Sequence, residues 1–291
     1  MNKRYKHLPI LTGVISLILL CLGMSSCHTQ SSTAEDRYVV LSPEVAEIIA
    51  ALGATNSIVG ITEECDFPAE LAAIPKVGKF GMLNKESIIA LKPSIVFTSA
   101  LEQEAMAQEL KKLGLRVEQI YPRSLDEMIA EIRRLGTIIG KEEAAKALAD
   151  SIAGFLTALK ADTSDSPKPK VYIEIYRDPL MSVSDASYVG ELIESAGGDN
   201  IFAVLERDYA RVKNEDVIKA MPDIMICYSQ DSLQNILNRK GWQDIPAIRK
   251  RRIYFEKDID PDLIQRATPR AMQGIKRLRE IFAEFHAGAS E

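Results

Sequence analysis

Apolar residues in this chain change their spacing several times between Tyr38 and Phe285, and the changes mark two series of alternating strands and helices. In the first series, short apolar runs at Tyr38 to Ser42, Ser57 to Thr62, Ile95 to Thr98 and Val117 to Tyr121 predict buried strands. Apolar positions three and four apart predict helices between them, over Glu44 to Leu52, Glu86 to Leu91 and Gln103 to Leu113. From Leu125, helix-forming residues run with hardly a break to Asp162. Within that run Ala144, Leu148, Ile152, Phe155 and Leu159 form one apolar stripe, predicting a helix of about 20 residues and about 30 Å. The Ser/Asp/Pro segment Asp162 to Pro169 stops it. A second series follows, with strands predicted at Val171 to Ile175, Ile224 to Tyr228 and Ile253 to Phe255, and helices at Tyr188 to Ala196, Asn214 to Ala220 and Pro269 to Phe285.

Strands that alternate with helices imply an α/β fold with parallel pairing. The pattern divides into an amino-terminal lobe, residues 37–140, a connecting helix with its linker, residues 141–168, and a carboxyl-terminal lobe, residues 169–291. A single long helix resists bending, so the lobes are expected to move little and to hold ligand in a preformed cleft between them.

One pattern occurs in both lobes, 129 residues apart. Asn84-Lys85-Glu86-Ser87-Ile88-Ile89-Ala90-Leu91-Lys92-Pro93 recurs as Lys213-Asn214-Glu215-Asp216-Val217-Ile218-Lys219-Ala220-Met221-Pro222, and each copy runs on into a strand. Glu86 aligns with Glu215, Pro93 with Pro222 and Ile95 with Ile224. Acids favour the first turn of any helix, where they face the positive end of its dipole. A matched pair implies two similar lobes, each presenting one carboxylate at a helix start.

Ahead of the lobes, Lys3, Arg4 and Lys6 precede an apolar stretch from Leu8 to Leu22 that closes with Gly23-Met24-Ser25-Ser26-Cys27. That is the layout of a secretion signal, residues 1–26, and small residues before Cys27 resemble a lipoprotein cleavage site. Cys27 would then be the lipidated terminus and residues 27–36 a polar tether, placing the protein in the periplasm or cell envelope, anchored to a membrane. The chain carries 36 Lys and Arg against 41 Asp and Glu, a net charge of -5, and removing the signal takes away only basic residues. No basic excess remains for nucleic acid. Beyond the signal the only histidines are His28 and His286, which leaves no histidine base, no serine-histidine triad and no two-histidine zinc site. A carboxylate-dependent surface enzyme is the enzymatic alternative. Cys65 and Cys227, one in each lobe, read as free buried thiols.

Ser42-Pro43 with Glu47-Ile48 and Ala51-Leu52-Gly53, then Val59-Gly60, Cys65-Asp66-Phe67-Pro68, the two glutamate motifs, Gly197-Gly198-Asp199-Asn200-Ile201-Phe202 and Arg266-Ala267-Thr268-Pro269-Arg270 occur in a familiar order. From Arg37 to Phe285 the chain resembles the cobalamin and ferric-siderophore binding proteins of ABC importers, the class III periplasmic binding proteins. The resemblance implies two Rossmann-like lobes joined by a rigid helix, no catalysis, no cofactor beyond the transported ligand, and a monomer. It implies that Glu86 and Glu215 dock into arginine pockets of an inner-membrane permease and ATPase complex. Cys-Asp-aromatic-Pro looks most like the cobalamin branch. Phe67, Phe80 and Tyr209 then stand at aromatic ligand positions and Asp262 at an acid of the ligand site. Other aromatic positions of that branch carry Ser99, Ile175 and Met181 here, and Trp242 lies elsewhere. Tyr176, Arg177, Arg207, Tyr209 and Arg211 gather phenolic and basic groups that suit a ferric siderophore or haem instead. Tyr209 and Cys65 are the candidates for direct iron ligation.

Overall fold

The computed structural model describes residues 36–99, 103–161 and 167–287. The signal segment, Cys27 and the tether up to residue 35 lie outside the described residues. The amino-terminal lobe is built on a parallel four-stranded sheet in the order Ile58–Ile61, Tyr38–Val40, Ile95–Thr98, Val117–Gln119. The carboxyl-terminal lobe repeats it with Asp199–Asn200, Lys170–Glu174, Ile224–Cys227 and Ile253–Phe255. In both, the lobe's first strand lies second in the sheet. Tyr38 faces Ile95 in one sheet and Val171 faces Ile224 in the other. Ile95 and Ile224 are the residues that the sequence repeat aligns, so the repeat is structural. Tyr38–Val40, Ile95–Thr98 and Ile224–Cys227 are buried at every position, as parallel strands covered on both faces must be.

The first strand ends sooner than its apolar run because Ser42 turns out of the sheet to cap the helix Pro43–Ala51, its hydroxyl accepting from Val45 N at 3.4 Å. Two groups of elements carry too few residues to show a period. One is an antiparallel sheet of Tyr209–Arg211, Leu180–Val183 and Tyr176–Arg177, and the other comprises the short helices Leu233–Leu237, Pro246–Arg249 and Asp262–Gln265.

The long helical stretch is divided into Leu125–Ile138 and Glu142–Ala161. Gly140, at φ 66°, supplies the left-handed turn between them. The 20 residues of the second helix match the predicted connector, but its buried line is Ala145, Ala149, Ile152 and Leu156. Ala144 is exposed, and Leu148, Phe155 and Leu159 are half-buried. The stripe is rotated because the closest approach runs through small side chains: a Cβ on Gly136 would lie 2.2 Å from the Ala145 Cβ. Larger residues flank that seam.

From Arg37 onward the chain packs as one compact unit. Its largest apolar cluster takes Tyr38 and Phe97 from the first sheet, Ile152 and Leu156 from the connecting helix, and Ile173 and Ile226 from the second sheet. Among the described residues no helix is long and apolar enough to cross a membrane.

Two glycines of the helical pair should respond to alanine in opposite directions. Gly154 is exposed and a Cβ there meets nothing within 4 Å, so Gly154→Ala should stabilise the protein by about 0.5–1 kcal/mol. Gly136→Ala gains the same propensity but must push the two helices apart, and a net loss of about 1–2 kcal/mol is expected. Urea midpoints of the two variants measure both.

Candidate ligand cleft and docking glutamates

Glu86 is the second residue of the helix Lys85–Ala90, whose start is fixed by Asn84 accepting from Ser87 N at 2.9 Å. Glu215 is the second residue of Asn214–Ala220. There the start is fixed from below: the indole N–H of buried Trp242 donates to Asn214 Oδ1. Trp242 is in turn packed edge-on against Tyr172 at 6.0 Å, so the helix that bears Glu215 stands on the core of its lobe. Each helix is followed by a left-handed residue, Lys92 at φ 48° and Met221 at φ 52°, immediately before the aligned proline. Both glutamates are exposed. Among the described residues neither forms an ion pair or a side-chain hydrogen bond, so each lobe presents one unengaged carboxylate at an equivalent place.

The cleft opens where the strands of both lobes end. Ser99 and Ile120, just past two strands of the first lobe, face Tyr188, Tyr209 and Gln265 of the second, with Tyr121 beside them. The enclosed space is about 40 Å³ and opens to solvent at its mouth. Burial pushes the Tyr188 and Tyr209 phenols up, so both stay protonated near neutral pH. Tyr188 donates to Met128 Sδ across the lobes at 3.7 Å. Phenolic and apolar walls of this kind bind a bulky ligand by area with a few oriented polar contacts.

Next to the cleft, an ion network crosses from lobe to lobe. Arg270 binds Glu47 through two parallel bonds of 2.7 Å, Nε to Oε2 and Nη2 to Oε1. Arg266 Nη1 reaches Glu47 Oε1 at 3.2 Å and Asp66 Oδ1 at 2.9 Å, and its Nε meets Asp262 Oδ1 at 3.0 Å. Glu47 is 4% exposed, and removing one partner of so buried a pair typically costs about 3–5 kcal/mol. The Arg270 guanidinium also lies over the Phe67 ring, 4.0 Å from its centre. Burial raises Asp262 against the opposing pull of Arg266.

Of the residues expected at the ligand site, Tyr209 lines the cleft, and Phe67 and Asp262 are drawn together by the two arginines. Phe80 is 64% exposed on the hairpin of Gly78–Lys79 and Met82–Leu83, its N–H donating to Glu64 at 2.7 Å. Tyr176 and Arg177 occupy an exposed hairpin where Asp231 holds Arg177 at 3.2 Å, and Arg207 and Arg211 are exposed. None of these five lines the cleft cavity. Cys65 and Cys227 are free and buried, and burial pushes both thiols up, away from the thiolate a metal would need. Among the described residues no group of three or more His, Cys, Asp or Glu is placed to hold a metal ion. The pattern missed Tyr121 and Tyr188 in the cleft, and the role of Glu47. A signal for Glu47 existed: one charge inside the apolar run Val45-Ala46-Glu47-Ile48-Ile49 demands a partner, and the motif Arg266-Ala267-Thr268-Pro269-Arg270 offers two arginines.

A family model described as periplasmic binding protein matches residues 39–259. The chain belongs to this family. The ABC transporter substrate-binding lipoprotein YvrC of Bacillus subtilis is 29% identical over 252 residues, which cover 84% of this chain and 79% of that protein. A vitamin B12-binding protein of Vibrio vulnificus is 27% identical over 273 residues, 92% of this chain and 96% of that one. The periplasmic haem-binding protein RhuT of Roseiflexus sp. RS-1 superposes with a TM-score of 0.75 at 25% identity, over 86% of this chain and 99% of that one. The architecture is that of the class III periplasmic binding proteins, two parallel α/β lobes joined through a helix.

In this periplasmic binding protein a second carboxylate joins the lobes. Glu191, half-buried on the helix Tyr188–Ser195, accepts from Leu125 N at 2.6 Å and so caps the first helix of the connecting pair. Burial pushes Glu191 up, the Leu125 hydrogen bond and Lys160 oppose this, and Asp126 and Glu194 add to the rise. A carboxyl raised in the folded state contributes stability below its ordinary pKa, and that contribution is lost as pH rises through the raised value. Glu191→Gln should therefore be more stable than the parent at pH 7, with the gain vanishing below about pH 4. Urea unfolding across that range checks both ends.

Proposed function

We propose that this periplasmic binding protein is the substrate-binding component of an ABC importer, that it captures a corrinoid in the cleft, and that Glu86 and Glu215 seat it on the permease. The observation that carries the docking role is the matched pair of exposed, unengaged carboxylates, one at the second position of an equivalent helix in each lobe. A two-fold symmetric receptor needs the same group twice at a fixed separation, and a core running through both lobes keeps that separation fixed. Charges at such a rim steer encounter and set register.

The corrinoid assignment draws on Tyr209 in the cleft wall, on the Cys65-Asp66-Phe67-Pro68 motif and Asp262, and on relatives named vitamin B12-binding proteins. No bond is made or broken: ligand is held between the lobes, and the transporter separates them to release it. Anchoring through Cys27 would keep the protein beside its permease. A second reading, a ferric siderophore or haem as cargo, is favoured by Arg123 at the cleft wall beside the Tyr209 phenol and by the likeness to RhuT.

Calorimetric titration of purified protein with cyanocobalamin, haemin and a ferric siderophore panel decides the cargo. Tight one-to-one binding of cyanocobalamin alone is the expected result, and heat only from an iron chelate would replace the corrinoid reading with the second. Glu86→Ala with Glu215→Ala should weaken permease binding about a hundredfold or more while cleft affinity stays unchanged. Loss of ligand affinity in the purified double variant would remove the docking assignment.

A further inference from the structure

Phe67 belongs by chain connectivity to the first lobe, yet the groups that hold it belong to the second. Arg270 covers its ring at 4.0 Å, and Arg266 holds the neighbouring Asp66 at 2.9 Å. Both arginines are at once bound to Glu47, on the first lobe's opening helix. Arg270 is 12% exposed and Arg266 14%, so water does not readily replace these contacts when they break. A two-bond guanidinium-carboxylate pair at 2.7 Å tolerates little separation before both bonds are lost, and the ring contact fails with it.

From this geometry we propose that Arg270 is a positioning residue that couples lobe closure to ligand affinity. With the lobes together, it is locked on Glu47 and fixes the ring of Phe67. When the lobes are drawn apart, Glu47 and Phe67 are released in one step, and the loop that carries Phe67 loosens. Arg266 does the same for Asp66. This deepens the importer reading and rests on it, since it assigns Phe67 to the ligand.

Two readouts test it, one of which needs no ligand. In Arg270→Gln, hydrogen exchange of the loop amides from Asp66 to Leu71 should quicken, and cyanocobalamin affinity should fall about tenfold or more. Phe67→Leu should lower affinity without changing exchange in the Glu47 helix. The two substitutions together should cost less affinity than the sum of their separate effects. Arg270→Lys keeps the charge but loses the paired geometry, should give intermediate values, and serves if the glutamine variant does not fold. Unchanged loop exchange in a folded Arg270 variant, or strictly additive affinity losses, would overturn the proposal. If the parent binds neither cyanocobalamin, haemin nor a ferric siderophore, the importer reading fails, while loop exchange still decides whether Arg270 positions the loop.

Discussion

One apolar cluster joins the two sheets of this protein. It passes from Tyr38 and Phe97 through the connecting helix to Ile173 and Ile226, while the opposite face of each sheet packs a smaller cluster of its own, around Val39 and Val96 in the first lobe and Tyr172 and Met225 in the second. Separating the lobes would expose part of a close-packed interior, so the fold itself holds them together. Glu47, buried against Arg270 and Arg266, adds direction to this non-directional cohesion: apolar packing brings the lobes together, and the paired guanidinium bonds select one alignment. Such pairs do little for net stability against an apolar replacement, and their value lies in geometry.

Much of the architecture was legible because parallel α/β sheets leave a strong trace. Fully buried strands read as short apolar runs: Ile95–Thr98 begins and ends where its pattern does, as do the strand Ile253–Phe255 and the helix Asn214–Ala220, and Ile224–Cys227 stops one residue short of its predicted end at Tyr228. The duplicated glutamate motif carried further, since its 129-residue offset also carries the strand Ile95–Thr98 onto Ile224–Cys227. What escaped was set by contacts distant in sequence. The face of Glu142–Ala161 that is buried depends on Gly136 in the preceding helix, which no periodicity within the connector can reveal. The three-residue strand Tyr209–Arg211 exists only because Leu180–Val183 pairs with it.

The candidate site was legible in part for the same reason. Glu86 and Glu215 are local features of helix starts, and the sequence alone shows them. The cleft is a meeting of loops from many places, so its walls follow tertiary geometry. Tyr121 and Tyr188 reach the cavity from segments without a recognisable motif, whereas Phe80 and Tyr176 lie on hairpin tips directed by their turns. Phe67 and Asp262 sit in between: a motif marked them, but their link through Arg270 and Arg266 spans about 200 residues and needed the fold to appear. The resulting cleft combines protonated phenols with the charged side chains of Glu44, Arg123 and Asp208.

The bond from Trp242 to Asn214 makes the two otherwise matched docking helices unequal in one respect. Asn84 caps its helix with its own side chain, while the carboxyl-terminal copy borrows an indole from the core, and that indole is the chain's sole tryptophan. The protein therefore carries an intrinsic optical reporter seated under the helix that bears Glu215, with none under the helix that bears Glu86. A change in its emission would report on the second lobe alone, without any added label.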